Sequence, residues 1–147
     1  MRGFRCLCRR LFDSPISILA VKKIISTPHA PAAIGPYHQG IVCNGTLYVS
    51  GQIAIDPASG EVIQGSIEEE THRVLKNIGA ILEAAGCTYA DVLKASVFVK
   101  DMHHFSRINA VYAEYFRPEF APARELVEVA NLPRFVNIEI SVIAAVS

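Results

Sequence analysis

"GIVCNGTLYVSGQIAI", residues 40–55, decides the fold. Asn44-Gly45 is the pair best suited to a two-residue hairpin turn, because both central positions need φ > 0. The flanking runs GIVC (40–43) and TLYVSGQIAI (46–55) are rich in apolar and β-branched residues, so the stretch reads as a β-hairpin. Upstream, KKIIST (22–27) is a short β-like run that ends at Thr27-Pro28. Between them lies HAPAAIGPYHQG (29–40), where Pro31, Gly35 and Pro36 permit neither a long helix nor an uninterrupted strand. This segment is expected to be an ordered loop. DPASGE (56–61) adds a turn after the hairpin.

Downstream the apolar period changes from two to 3.6. Ser66 with Glu69 forms a capping-box pattern, Glu68 to Glu70 suit the positive end of a helix dipole, and Gly86 suits a helix end. A helix is predicted over 67–85, its stripe made of Ile67, Val74, Leu75, Ile78, Leu82 and Ala85. KASVFVK (94–100) reads as a strand buried on both faces. A second helix over 102–116 places Phe105, Ile108, Tyr112 and Phe116 on one side and stops before Pro118. Two β-runs, 124–130 and 136–146, close the chain. The pattern ββ(β)αβαββ predicts a single α/β (α+β) domain, a mixed β-sheet with two helices packed on one face.

The zero net charge hides an asymmetry. Residues 1–23 carry six basic side chains and one acidic, whereas residues 24–147 carry eight basic and thirteen acidic, a balance of 8 − 13 = −5. An acidic body without a lysine or arginine cluster argues against nucleic acid as partner. The Arg-rich start MRGFRCLCRRLF has the composition of a mitochondrial presequence, with 1–21 as leader and 22–147 as the domain. The matrix is then the expected location and the cytoplasm the alternative. ISILAV (16–21) is too short to cross a bilayer, so no membrane association is expected. The cysteines and histidines lack metal-ligand spacing, and Ser50 lacks a nucleophile-elbow motif.

Two charged residues in the closing strands stand out. Alternation puts Arg124, Leu126 and Glu128 on one strand face, and sets Glu139 and Ser141 opposite Ile138, Ile140 and Val142. A charge directed inward needs a partner. Arg124 and Glu139 could form a structural ion pair. Alternatively, Arg124 could clamp a substrate carboxylate through two parallel N–H···O bonds, with a desolvated Glu139 deprotonating a water.

The stretches APAAIGPYHQG (30–40), YVSGQIAIDPASGEV (48–62), SVFVKDM (96–102), INAVYAEYF (108–116), PARELVEVANLP (122–133) and NIEISVIA (137–144) together resemble the RidA/YjgF family of reactive-intermediate deaminases, in a mitochondrial-type member. The resemblance implies a chorismate-mutase-like fold assembled as a homotrimer with clefts between subunits. It implies hydrolysis of 2-iminobutanoate and 2-iminopropanoate, released by PLP-dependent dehydratases, to 2-oxo acids and ammonia, with no cofactor and no metal. By resemblance Arg124 binds the substrate carboxylate and Glu139 activates water, while Tyr37, Ser50, Gly51 and Asn109 line the cleft. Leu126 stands where many bacterial members have cysteine, and Ser141 replaces a second glutamate; both bear on substrate preference. A non-catalytic 2-oxo-acid-binding regulator is the competing reading, and the family's older labels of translation inhibitor and endoribonuclease are a third.

Overall fold

The computed structural model describes residues 21–146. The expected presequence lies outside the described residues, apart from Val21. Six strands and two main helices form one layer of each kind. In chain order they are β1 (Lys23–Ile25), β2 (Gly40–Cys43), β3 (Thr46–Ile53), α1 (Ile67–Ala84), β4 (Val92–Val99), α2 (Phe105–Tyr115), β5 (Ala123–Glu128) and β6 (Ile138–Ala145). The sheet order is β1-β2-β3-β6-β4-β5; only the β4–β5 pair is parallel, so the sheet is mixed.

The hairpin forms as its turn residues dictate. Asn44 at φ 51° and Gly45 at φ 71° close it, and Ile41 pairs with Tyr48 across it. Helix α1 starts with the full capping box: the Glu69 N–H donates to Ser66 Oγ, and the Ser66 N–H donates to the Glu69 carboxylate at 2.8 Å. Val74, Leu75, Ile78, Ile81 and Leu82 bury its apolar stripe against the sheet, so Ile81 joins the expected set. Helix α2 lies beside α1, tied by the Arg107–Glu68 ion pair. Its first residues, Met102–His104, make a separate 3-10 turn.

Three expectations need correction. Phe105 is 42 % exposed rather than part of the buried stripe; Val111 takes its place beside Ile108, Tyr112 and Phe116. Phe105 is the first residue of α2, so it sits at the helix end, outside the stretch from Ile108 to Tyr112 that packs on the core. Strand β4 is buried on one face only: Ala95, Val97 and Val99 are covered by helices, whereas Ser96 and Phe98 are half-exposed. Both helices pack on the same side, leaving no element for the other. Arg124 likewise does not enter the interior, because β5 is an edge strand and the side chain is exposed there.

Candidate active site

Register fixes which side chains share a face. On the helix-covered face, Val49, Val142, Ala95 and Arg124 form one row across β3, β6, β4 and β5. On the open face the corresponding row runs Ile53, Glu139, Phe98 and Val127. Arg124 and Glu139 of one chain therefore project from opposite sides of the sheet. They cannot form an ion pair within the chain.

The open-face group is built around an irregularity in β3. The register with β6 slips by one between Val49 and Gln52, so Ser50 and Gly51 together oppose Ser141. Such a bulge bends the strand and leaves local backbone unpaired with its neighbour. Ser50 ties this bulge to the proline-containing loop, its hydroxyl donating to His38 O at 2.6 Å and its N–H to Gln39 O at 3.0 Å. Tyr37 completes the loop's inner edge, accepting a long bond from the Ile34 N–H.

These parts enclose a cavity of about 330 Å³ lined by Tyr37, Ser50, Gly51 and Glu139, with Ile34, Ile53 and Pro133 among its apolar walls. The structure thus brings four of the sequence-predicted residues together. Glu139 is half-buried here, and burial raises its carboxyl above the ordinary glutamate range. A carboxylate so placed is a better base than an exposed one and has no cation beside it among the described residues.

The remaining predicted residues form a second group on the helix side. Arg124 donates to Asn109 Oδ1 at 2.8 Å, and its guanidinium carbon lies 4.7 Å from the Tyr112 ring centroid. Burial pushes the Tyr112 phenol up to about 12, so the ring stays neutral beneath the cation. Leu126, one repeat along β5, is half-buried against the core on the same face. No carboxylate pairs with Arg124 among the described residues. Asn109 and Tyr112 fix its direction without neutralising it, which leaves a planar fork for an anion.

Sequence reasoning missed the residues that hold these groups. Gln39 is buried and donates to Thr27 O, Ala30 O and Pro31 O, while its carbonyl accepts from the Thr27 N–H; it fastens the loop over the cavity. Gln52 does the same for the bulge, donating to Ser50 O. Glu70, also buried, accepts from both the backbone and side-chain N–H groups of Asn137 and so anchors the start of β6 ahead of Glu139. An amide inside an apolar strand pattern, as at Gln52, was the available signal. Among the described residues no three ligating side chains cluster as a metal site would require.

A one-layer mixed sheet backed by two helices, with a carboxylate pocket on its bare face and an unneutralised guanidinium at its edge, defines a small single-domain α+β class. The chain belongs to the Endoribonuclease L-PSP family, the RidA/YjgF family, whose model matches residues 27–146. A Bos taurus protein named 2-iminobutanoate/2-iminopropanoate deaminase is 50 % identical over 124 residues, covering 84 % of this chain and 90 % of the relative. The Homo sapiens protein of that name is 44 % identical over the same share of each. Among solved structures, the E. coli TdcF with bound serine superposes with a TM-score of 0.80 at 41 % identity, over 85 % of this chain and 99 % of that one. The YjgF gene product of E. coli gives 0.78 at 46 %, over 84 % and 98 %.

Proposed function

We propose that the protein hydrolyses 2-imino acids such as 2-iminobutanoate and 2-iminopropanoate to 2-oxo acids and ammonia, at sites shared between copies in a homotrimer. One observation carries the reading. A guanidinium without an acidic partner and a half-buried carboxylate without a basic one sit on opposite faces of the sheet, each half of a site. The bare face gives a second copy its seat: Ile24 is 55 % and Tyr48 50 % exposed there, with Ile41 and Ile143 beside them in register. Covering that apolar row is favourable and brings another subunit's edge toward the Glu139 pocket.

In the assembled site Arg124 binds the substrate carboxylate through two charge-assisted hydrogen bonds, and Asn109 keeps the fork in place. The Glu139 carboxylate takes a proton from water as its oxygen attacks C2 of the iminium. The resulting carbinolamine collapses: Glu139 returns the proton to nitrogen, the C–N bond breaks as the C2 hydroxyl closes to the carbonyl and passes its proton to the Glu139 carboxylate, and ammonia leaves, taking that proton up as ammonium, with the 2-oxo acid behind. An imine is already electrophilic, so base assistance of about 10²–10⁴-fold together with orientation suffices. Relatives named as deaminases at about half identity support the chemistry, and bound serine in a similar structure supports a site for small amino-acid-like carboxylates. The acidic body argues against the ribonuclease activity in the family's description.

Adding purified protein to a threonine dehydratase reaction is the direct test. 2-Oxobutanoate should appear sooner while threonine consumption stays unchanged; equal rates with and without the protein would contradict the proposal. Tight 2-oxobutanoate binding without turnover would instead favour a regulator. The basic leader further supports delivery to the mitochondrial matrix, where a fluorescent fusion of the full chain, but not of residues 22–147, should accumulate.

A further inference from the structure

We infer that Gly51 is a positioning residue for the reaction: the space left by its missing side chain is the seat of the Glu139 carboxylate. The inference rests on the hydrolase reading for its kinetic consequence, though not for its geometry.

The reason for glycine at a turn is usually conformational, as at Gly45. Gly51 is different. Its φ lies outside the left-handed region, so any residue could adopt its backbone. What it lacks is room. A Cβ at Gly51 would overlap Glu139 Oε1 outright and would sit 2.8 Å from Glu139 Cδ and 3.1 Å from Cγ. The carboxyl of Glu139 thus lies against the β3 bulge, in the volume a methyl group would take. The bulge itself is held by hydrogen bonds of Ser50 and Gln52, whereas what faces the missing Cβ is the far end of the Glu139 side chain.

This arrangement separates stability from function. The group that must yield to a methyl is the far end of a flexible side chain, which can swing toward the cavity mouth at little cost to the fold. Its oxygens, however, would leave the place from which they reach the attacking water. Displacement of about 1 Å in a positioned catalytic group can cost about 10²-fold in rate. The same swing would expose the carboxyl to water and remove the burial that raises its pKa. The other titratable group lining the cavity is Tyr37; the neighbours of Glu139 in its row, Ile53, Phe98 and Val127, do not titrate.

The test compares wild type, Gly51→Ala, Glu139→Asp and the double variant, each checked for thermal midpoint and assembly. Gly51→Ala should lower kcat about 100-fold with KM little changed, since Arg124 still binds the carboxylate. The acid limb of its rate–pH profile should move to lower pH. The shorter side chain should reverse the order: Glu139→Asp is the poorer enzyme with Gly51 present, yet improves the Gly51→Ala protein by retreating from the added methyl. Unchanged kcat and an unmoved acid limb in a correctly assembled Gly51→Ala protein would overturn the inference. Carbon-13 titration of the Glu139 carboxyl decides the seat without any assay of activity. A midpoint that falls on Gly51→Ala upholds it, and identical midpoints reject it. Failure of wild type to speed imine hydrolysis would strike the hydrolase reading instead.

Discussion

The two faces of the sheet obey different rules. Beneath the helices, Leu47, Val97, Ile138 and Ile140 are sealed from water, and Asn77 Nδ2 donates to Ile55 O at 2.9 Å. On the bare face, Ser96, Ser141 and Glu139 sit among half-exposed apolar side chains, and a carboxylate is desolvated with nothing to balance it. A closed face of this kind is what burial of apolar area produces unaided. An open face of the other kind costs stability and persists where it serves an interface or a reaction. On the function proposed above, the difference teaches that the sheet carries one half-site on each side, the Glu139 half completed by the loop that holds Tyr37.

Replacing Arg124 should break the contrast most severely. On the proposed mechanism Arg124→Ala removes both charge-assisted bonds to substrate, about 3 kcal/mol or more, so kcat/KM should drop by about 10²-fold or beyond. Because the side chain is exposed, the thermal midpoint should hardly move. Steady-state kinetics beside calorimetry would reveal either departure.

A pair on one strand sharpens the comparison further. Ile140→Ala, under the helices, should cost about 2–5 kcal/mol in a denaturant titration. Ile143→Ala, on the bare face, should cost the fold less and weaken self-association instead, seen as a stability that depends more steeply on protein concentration. Equal effects at the two positions would mean that both faces are covered alike within one chain.

The smallest effect concerns Glu139. Its folded pKa is raised, so its favourable contribution is complete below the unfolded value and is lost as pH rises through the folded one. Glu139→Gln should therefore melt about 1–3 °C above wild type near pH 7, where the desolvated charge has been removed, and match it below about pH 4. A gain that is the same at both pH values would contradict the burial account.

Much of the covered face was legible in the chain. Asn44-Gly45 announces its hairpin, Ser66 and Glu69 announce α1, and alternation in 138–145 assigns Ile140 and Glu139 to opposite sides. Local chemistry settles such features, so a single sequence carries them. Placement across the sheet was not legible. Alternation tells that Arg124 opposes Glu125 along β5, but not that β6 lies between β3 and β4, and only that order shows Arg124 and Glu139 to be on different faces. Arg124 looked destined for the interior because it heads a strand pattern beside Leu126; an edge position leaves it exposed. Gln39, Gln52 and Glu70 escaped notice because their partners are 8 to 67 residues away or are backbone carbonyls of a bulge. The bulge itself has no signature beyond Ser50-Gly51.

Mixing two crippled proteins tests the divided site most directly. Arg124→Ala and Glu139→Gln chains, each inactive alone, are unfolded together, refolded at equal concentration and assayed for imine hydrolysis. If each site draws its arginine from one subunit and its glutamate from another, about a quarter of the sites in a random assembly hold both intact groups, and about a quarter of the wild-type rate should return. A mixture as inactive as its components, with mixed assemblies verified by mass, would contradict the account.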